Sequence, residues 1–166
     1  MLFRSLKEAI RLKPKYAAAY NYLALNYRSQ GQLPEAEQMC QQSINIDVRL
    51  PESRNTLGLI YCDMGKYEEG IKEYQKAIEL RPRYTEAYSN LGLCFFKLDQ
   101  LDEAVGYFEK AISIDPRFVL ARFNLALCYF KKRDKHGVKK KYEVLCGLDR
   151  ERAAKLYQKV KNLLAS

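Results

Sequence analysis

A 34-residue pattern recurs four times in register along this chain, over 17–50, 51–84, 85–118 and 119–152. A period of that length rules out one central core. Each copy is a small supersecondary unit whose apolar face must be buried against its neighbours. Position 7 of the pattern is always leucine (Leu23, Leu57, Leu91, Leu125), and position 8 is always small (Ala24, Gly58, Gly92, Ala126). Position 11 is aromatic throughout (Tyr27, Tyr61, Phe95, Tyr129). Position 20 holds Ala36, Gly70, Ala104 and Val138, position 24 holds Cys40, Tyr74, Phe108 and Tyr142, and position 27 holds Ser43, Ala77, Ala111 and Leu145.

Within each copy the apolar residues fall three or four apart and then break, which predicts two helices. First helices are expected near 16–29, 52–64, 85–98 and 119–132, and second helices near 34–46, 67–80, 101–114 and 135–147. The breaks sit at position 15: Gly31, Gly65, Asp99 and Arg133. Glycine just past a helix end adopts the left-handed conformation at little cost, so Gly31 and Gly65 read as stops. Pro34 and Pro51 suit the first turn of the helices they open, while Pro14, Pro82 and Pro116 punctuate the joins. Gly58 and Gly70 are expected to let the helices of the second copy cross closely. Gly106 has no place in the pattern.

The small, aromatic and proline positions together resemble the tetratricopeptide repeat. The resemblance implies an all-α fold, a right-handed superhelical solenoid of antiparallel helix pairs, with 1–166 as a single domain. Residues 1–16 match the second half of a further repeat. They leave Leu2, Leu6 and Ile10 as an uncovered stripe suited to self-association or to a helix from upstream sequence. Residues 150–164 form an amphipathic segment, with Ala154, Leu156, Tyr157, Val160, Leu163 and Leu164 on one stripe, suited to capping the last repeat.

The composition excludes several classes. No apolar run approaches the ~18 residues of a membrane span. Five cysteines, an odd number with no CxxC spacing, read as small buried hydrophobes rather than as a disulfide framework. They favour a reducing, cytoplasmic setting. The single histidine, His136, has no cysteine near it in sequence, so no metal is expected. GxGxxG, GxxxxGK[ST] and HExxH are all absent. The carboxylates Glu35, Glu68, Glu69, Asp102 and Glu103 fall early in second helices, where the helix dipole favours negative charge. Neither a catalytic constellation nor a cofactor is expected, and the chain reads as no enzyme in itself.

What remains is a surface. In the resembled family first helices line a concave groove, which implies a protein- or peptide-binding adaptor or scaffold. Carried over by position, the groove across copies two to four presents Asn55, Asn90 and Asn124 as polar fixers of a peptide backbone. Leu93, Phe96, Phe123, Leu127 and Phe130 are its apolar contacts, with Lys97 and Lys131 at one side. The chaperone-tail clamp of some members is not reproduced: of its five slots, counted from the second copy, only Asn90 matches. The asparagine ladder of arrays preceding O-linked N-acetylglucosamine transferases is half present, at Asn90 and Asn124. A targeting or regulatory segment of a larger enzyme such as a glycosyltransferase is therefore an alternative. A third reading rests on the net charge of +9. Lys131, Lys132, Arg133, Lys135, Lys139, Lys140 and Lys141 form a basic turn opposed only by Asp134. Such a patch invites RNA, an anionic surface or an acidic partner, or serves as an accessory that speeds association.

Overall fold

The computed structural model describes residues 6, 8 and 10–165, with the side chains of 162–165 outside the description. The described residues form helices joined by short turns, with no strand among them. The chain divides into two compact units, Met1–Pro82 and Arg83–Ser166. The first holds α1 (Ala17–Ser29), α2 (Leu33–Ile46), α3 (Pro51–Asp63) and α4 (Tyr67–Leu80). The second holds α5 (Thr85–Lys97), α6 (Leu101–Ile114), α7 (Val119–Lys131), α8 (Lys135–Leu148) and α9 (Arg150–Ala165). The first eight begin and end within a residue or so of the expected bounds.

The punctuation explains that agreement. Gly31 and Gly65 take φ of 74° and 77°, and Asp99 and Arg133 follow at 63° and 56°. Position 15 is thus left-handed in every copy, whether or not glycine occupies it. In each copy the N–H of position 16 donates to the carbonyl of the position-11 aromatic: Gln32 to Tyr27, Lys66 to Tyr61, Gln100 to Phe95 and Asp134 to Tyr129. This reversal satisfies carbonyls that a helix end leaves orphaned. The same aromatic residue packs its ring and anchors the turn.

In the first unit Ala24, Ala36, Cys40, Ile44, Leu57 and Ile60 form one cluster joining α1, α2 and α3. Ser43 Oγ donates to the Ala17 carbonyl at 2.7 Å, so the hydroxyl of Ser53, also 2.7 Å away, must donate to Ser43. Two buried hydroxyls are thereby satisfied, and α2 is tied to both of its neighbours. The expectation of an uncovered stripe before α1 fails at Leu6, which is buried, while Ile10 is half-buried. Leu2 lies outside the described residues.

In the second unit Ala104, Phe108, Ala111, Ala121, Leu125 and Cys128 form one cluster, and Ala126, Val138, Leu145, Ala153, Leu156 and Val160 form the next. α9 packs on α8 and α7, as a cap should. Leu156 and Val160 of the expected stripe are buried, with Ala153 rather than Ala154 completing it, and the side chains of Leu163 and Leu164 lie outside the described residues. Ala154 and Tyr157 are exposed. A spacing of three then four residues keeps the stripe narrow. Tyr157 instead lies beside Tyr142, ring centroids 6.0 Å apart.

The small residue at position 8 has a definite reason. A Cβ built on Gly58 would stand 2.6 Å from the Tyr74 ring, and one on Gly92 would stand 3.0 Å from the Phe108 ring. Each glycine makes room for a buried aromatic at position 24. Gly58→Ala is therefore expected to destabilise by about 1–2 kcal/mol: overpacking exceeds the ~1 kcal/mol gained in helix propensity. The urea midpoint of the variant measures this, and an unchanged or raised midpoint contradicts it.

The thiols are packing groups. All five cysteines are free. Burial, reinforced by the charge of Glu73, pushes the Cys40 thiol up to about 12, and burial alone does the same at Cys128. Both stay protonated at neutral pH, and a protonated thiol is a poor nucleophile and metal ligand.

Candidate interaction surface

Nine of the ten groove residues lie on α5 and α7 of the second unit, two first helices that pack side by side. On α5, Asn90, Leu93 and Lys97 fall on one stripe, with Phe96 beside them. Leu93 and Lys97 are exposed, and Asn90 and Phe96 are half-buried. On α7, Phe123, Leu127 and Phe130 are half-buried because one side of each packs on the cluster that α9 completes. Lys131 Nζ stands 5.0 Å above the Phe96 ring and donates to Asp99 Oδ1 at 2.6 Å. The cation is held over an aromatic face by its own counter-ion, a geometry that fixes its position.

Two expected polar fixers are not accessible. Asn55, in α3 of the first unit, is only 8% exposed, and Asn124 is only 9% exposed. For Asn55 the cause is its place at position 5, which turns toward the helix packing: Asn21 and Ser89, its counterparts in the first and third copies, are buried as well. Asn124 stands at position 6, where Thr56 is also buried but Tyr22 is exposed. Sequence position alone conceals this, because it depends on how closely the neighbouring helices approach. Asn90 is the one accessible member of the three.

The basic turn also changes character. Lys132 Nζ donates to Asp102 Oδ1, and that carboxylate holds the Lys132 ammonium above its usual range. Lys141 lies 5.4 Å from the Tyr129 ring centroid. With Lys131 bound to Asp99, two of the seven cations are neutralised by acids from the preceding repeat. Arg133, Lys135, Lys139 and Lys140 stand exposed.

A cleft of about 400 Å³ opens between Tyr88 and Tyr107, with Glu103 and Lys110 at its rim. Gly106 floors it, and a Cβ there would meet nothing within 4 Å. The pattern gave no sign of this hollow. Among the described residues no group of three or more His, Cys, Asp or Glu stands close enough to hold a metal ion, and no helix is long and apolar enough to cross a membrane.

Paired helices repeating at this interval, each pair closed by a left-handed turn and a small-residue contact, define a helical-repeat solenoid. Models described as tetratricopeptide repeats match residues 17–46, 58–99 and 85–118. The chain belongs to the tetratricopeptide-repeat family. It is similar in fold to the crystal structure of MamA, with 24% identity over 92% of this chain and 89% of that one and a TM-score of 0.76. YrrB, described as a tetratricopeptide protein with an unusual peptide-binding site, gives 19% identity, coverage of 95% and 84%, and a TM-score of 0.72. The first tetratricopeptide domain of Spaghetti, bound to an HSP90 peptide, gives 24% identity, coverage of 68% and 89%, and a TM-score of 0.65. No curated protein matches the sequence.

Proposed function

We infer that this protein is a non-catalytic interaction module whose second unit binds a peptide or partner segment across α5 and α7. The observation that carries this reading is the exposed Leu93 and Lys97 on α5 beside the half-buried Phe96, with Lys131 of the neighbouring α7 held over the Phe96 ring. Apolar surface left beside a fixed cation, Lys131, suits a ligand with aliphatic or aromatic anchors and an acidic group. The peptide-bound Spaghetti domain and the peptide site of YrrB support the same use of a similar fold.

The test is affinity capture with the intact protein, followed by measured binding of the partner it retains. Leu93→Glu is expected to weaken that binding by about 2 kcal/mol or more. Because the side chain is exposed, the helical circular dichroism should remain. Undiminished affinity in a folded Leu93→Glu variant removes this face from the site.

A further inference from the structure

Positive charge in this protein is concentrated at one place. Residues 131–161 carry twelve lysines and arginines against four acids, a net of eight positive charges, while the whole chain has +9. Three of those acids are engaged locally. Asp134 and Asp149 each accept a backbone N–H at 2.9 Å, capping α8 and α9, and Glu151 pairs with Lys155 at 2.6 Å. The second helices α2, α4 and α6 begin with acids, whereas α8 has none in its first turn. Lysines there oppose the helix dipole.

The solvent side of α8 has two halves. His136, Lys140, Val144 and Leu148 recur at four-residue intervals and so share one face, with Lys135 and Lys139 alongside. A shallow hollow of about 390 Å³ lies over His136, Lys139, Lys140 and Glu143. Beyond it Val144 and Leu148 are 42% and 39% exposed. The face is cationic at its start and aliphatic at its end.

We propose that this outward face of α8 docks an acidic, amphipathic segment of a partner protein, carboxylates over Lys135, Lys139 and Lys140 and aliphatic side chains over Val144 and Leu148. The aliphatic end decides the class of partner. A nucleic-acid backbone gains nothing from Val144 and Leu148, and the His136 imidazole is the one ring on this face of α8, too little for a run of stacked bases. A membrane requires a longer apolar stripe beside the cations, and the stripe of α9 is buried in the fold. From Lys135 to Leu148 the face is about 20 Å long, which an extended segment of about six residues spans.

Fluorescence anisotropy at physiological salt, with a labelled peptide of glutamates followed by leucines, tests the proposal on the full chain. Saturable binding is expected. Lys139→Glu with Lys140→Glu should weaken it about tenfold and flatten its salt dependence. Val144→Ser with Leu148→Ser should weaken it about fivefold without altering the salt dependence. All four side chains are exposed, so both variants should stay folded, as circular dichroism checks. The Leu93→Glu variant should weaken binding of this peptide less than either α8 pair does, which separates the α8 face from the α5–α7 surface. An affinity unchanged by either α8 pair overturns the proposal. So does a larger loss of peptide binding in Leu93→Glu than in the α8 pairs, or tighter binding of oligouridylate or phosphatidylserine vesicles than of the peptide.

Discussion

Replacing Phe108 with alanine is expected to cost about 3–5 kcal/mol. Phe108 is fully buried, and the buried residues packed with it are mostly small: Ala104, Ala111, Ala121 and Cys128, with Leu125 alone being large. Above it lies Gly92, a position where even a methyl group would stand 3.0 Å from the ring. Partly buried side chains that pack against this cluster, Val105, Ile112 and Phe118 among them, can relax toward the space, whereas backbones joined at small residues move only if a helix shifts. Such relaxation is partial, so a residual cavity remains and the cost falls within this range. Because repeat stability is a sum of neighbouring contacts, amide exchange should accelerate first in α5, α6 and α7. Urea unfolding followed by hydrogen exchange measures both effects, and a loss below about 1 kcal/mol would show that the site collapses after all.

Removing the carboxylate of Glu73 is expected to be nearly as severe, at about 3 kcal/mol for Glu73→Ala. Glu73 Oε2 accepts from Arg54 Nη1 at 2.9 Å and Oε1 accepts from Lys76 Nζ at 2.6 Å. The two partners differ in what they lose. Lys76 is about half exposed and turns to water, but Arg54 has a side chain only 17% exposed and keeps its charge. The cost is that of an unpaired, largely dehydrated guanidinium. It follows that Arg54→Leu combined with Glu73→Leu should recover most of the stability, since exchanging a buried pair for apolar side chains is often neutral. Urea midpoints of the single and double variants decide the matter; additive losses would contradict this account.

The helices were legible because their punctuation is local. Gly31, Gly65, Pro34 and Pro51 act within a turn of where they stand, and the small–aromatic alternation fixes which face is buried. What escaped the sequence was set by helix approach. Whether Asn55 and Asn124 face a ligand or the packing depends on neighbouring helices far along the chain. The pairing of Lys131 with Asp99 and Lys132 with Asp102 joins residues about a repeat apart. The α9 stripe was misplaced by one residue at Ala154 because an amphipathic segment alone does not define its own centre. Leu93, Phe96 and Lys97 were legible as a surface because their positions alternate with buried neighbours on a single helix.

The contact between positions 8 and 24 also bears on how such a chain can be inherited. Three matched pairings coexist, Ala24 with Cys40, Gly58 with Tyr74 and Gly92 with Phe108, while the fourth copy combines Ala126 with a Tyr142 that is only half-buried. Each of the three is a matched set of sizes held by two helices that flank one turn. A crossover between repeats, near Leu50 and Pro51 for example, transmits every set intact. A crossover at Gly31 or Gly65 divorces the halves, setting an alanine methyl against Tyr74 or leaving a void over Cys40. Duplication and shuffling in this chain are therefore constrained to whole helix pairs, and the indivisible hereditary module is a repeat rather than a helix.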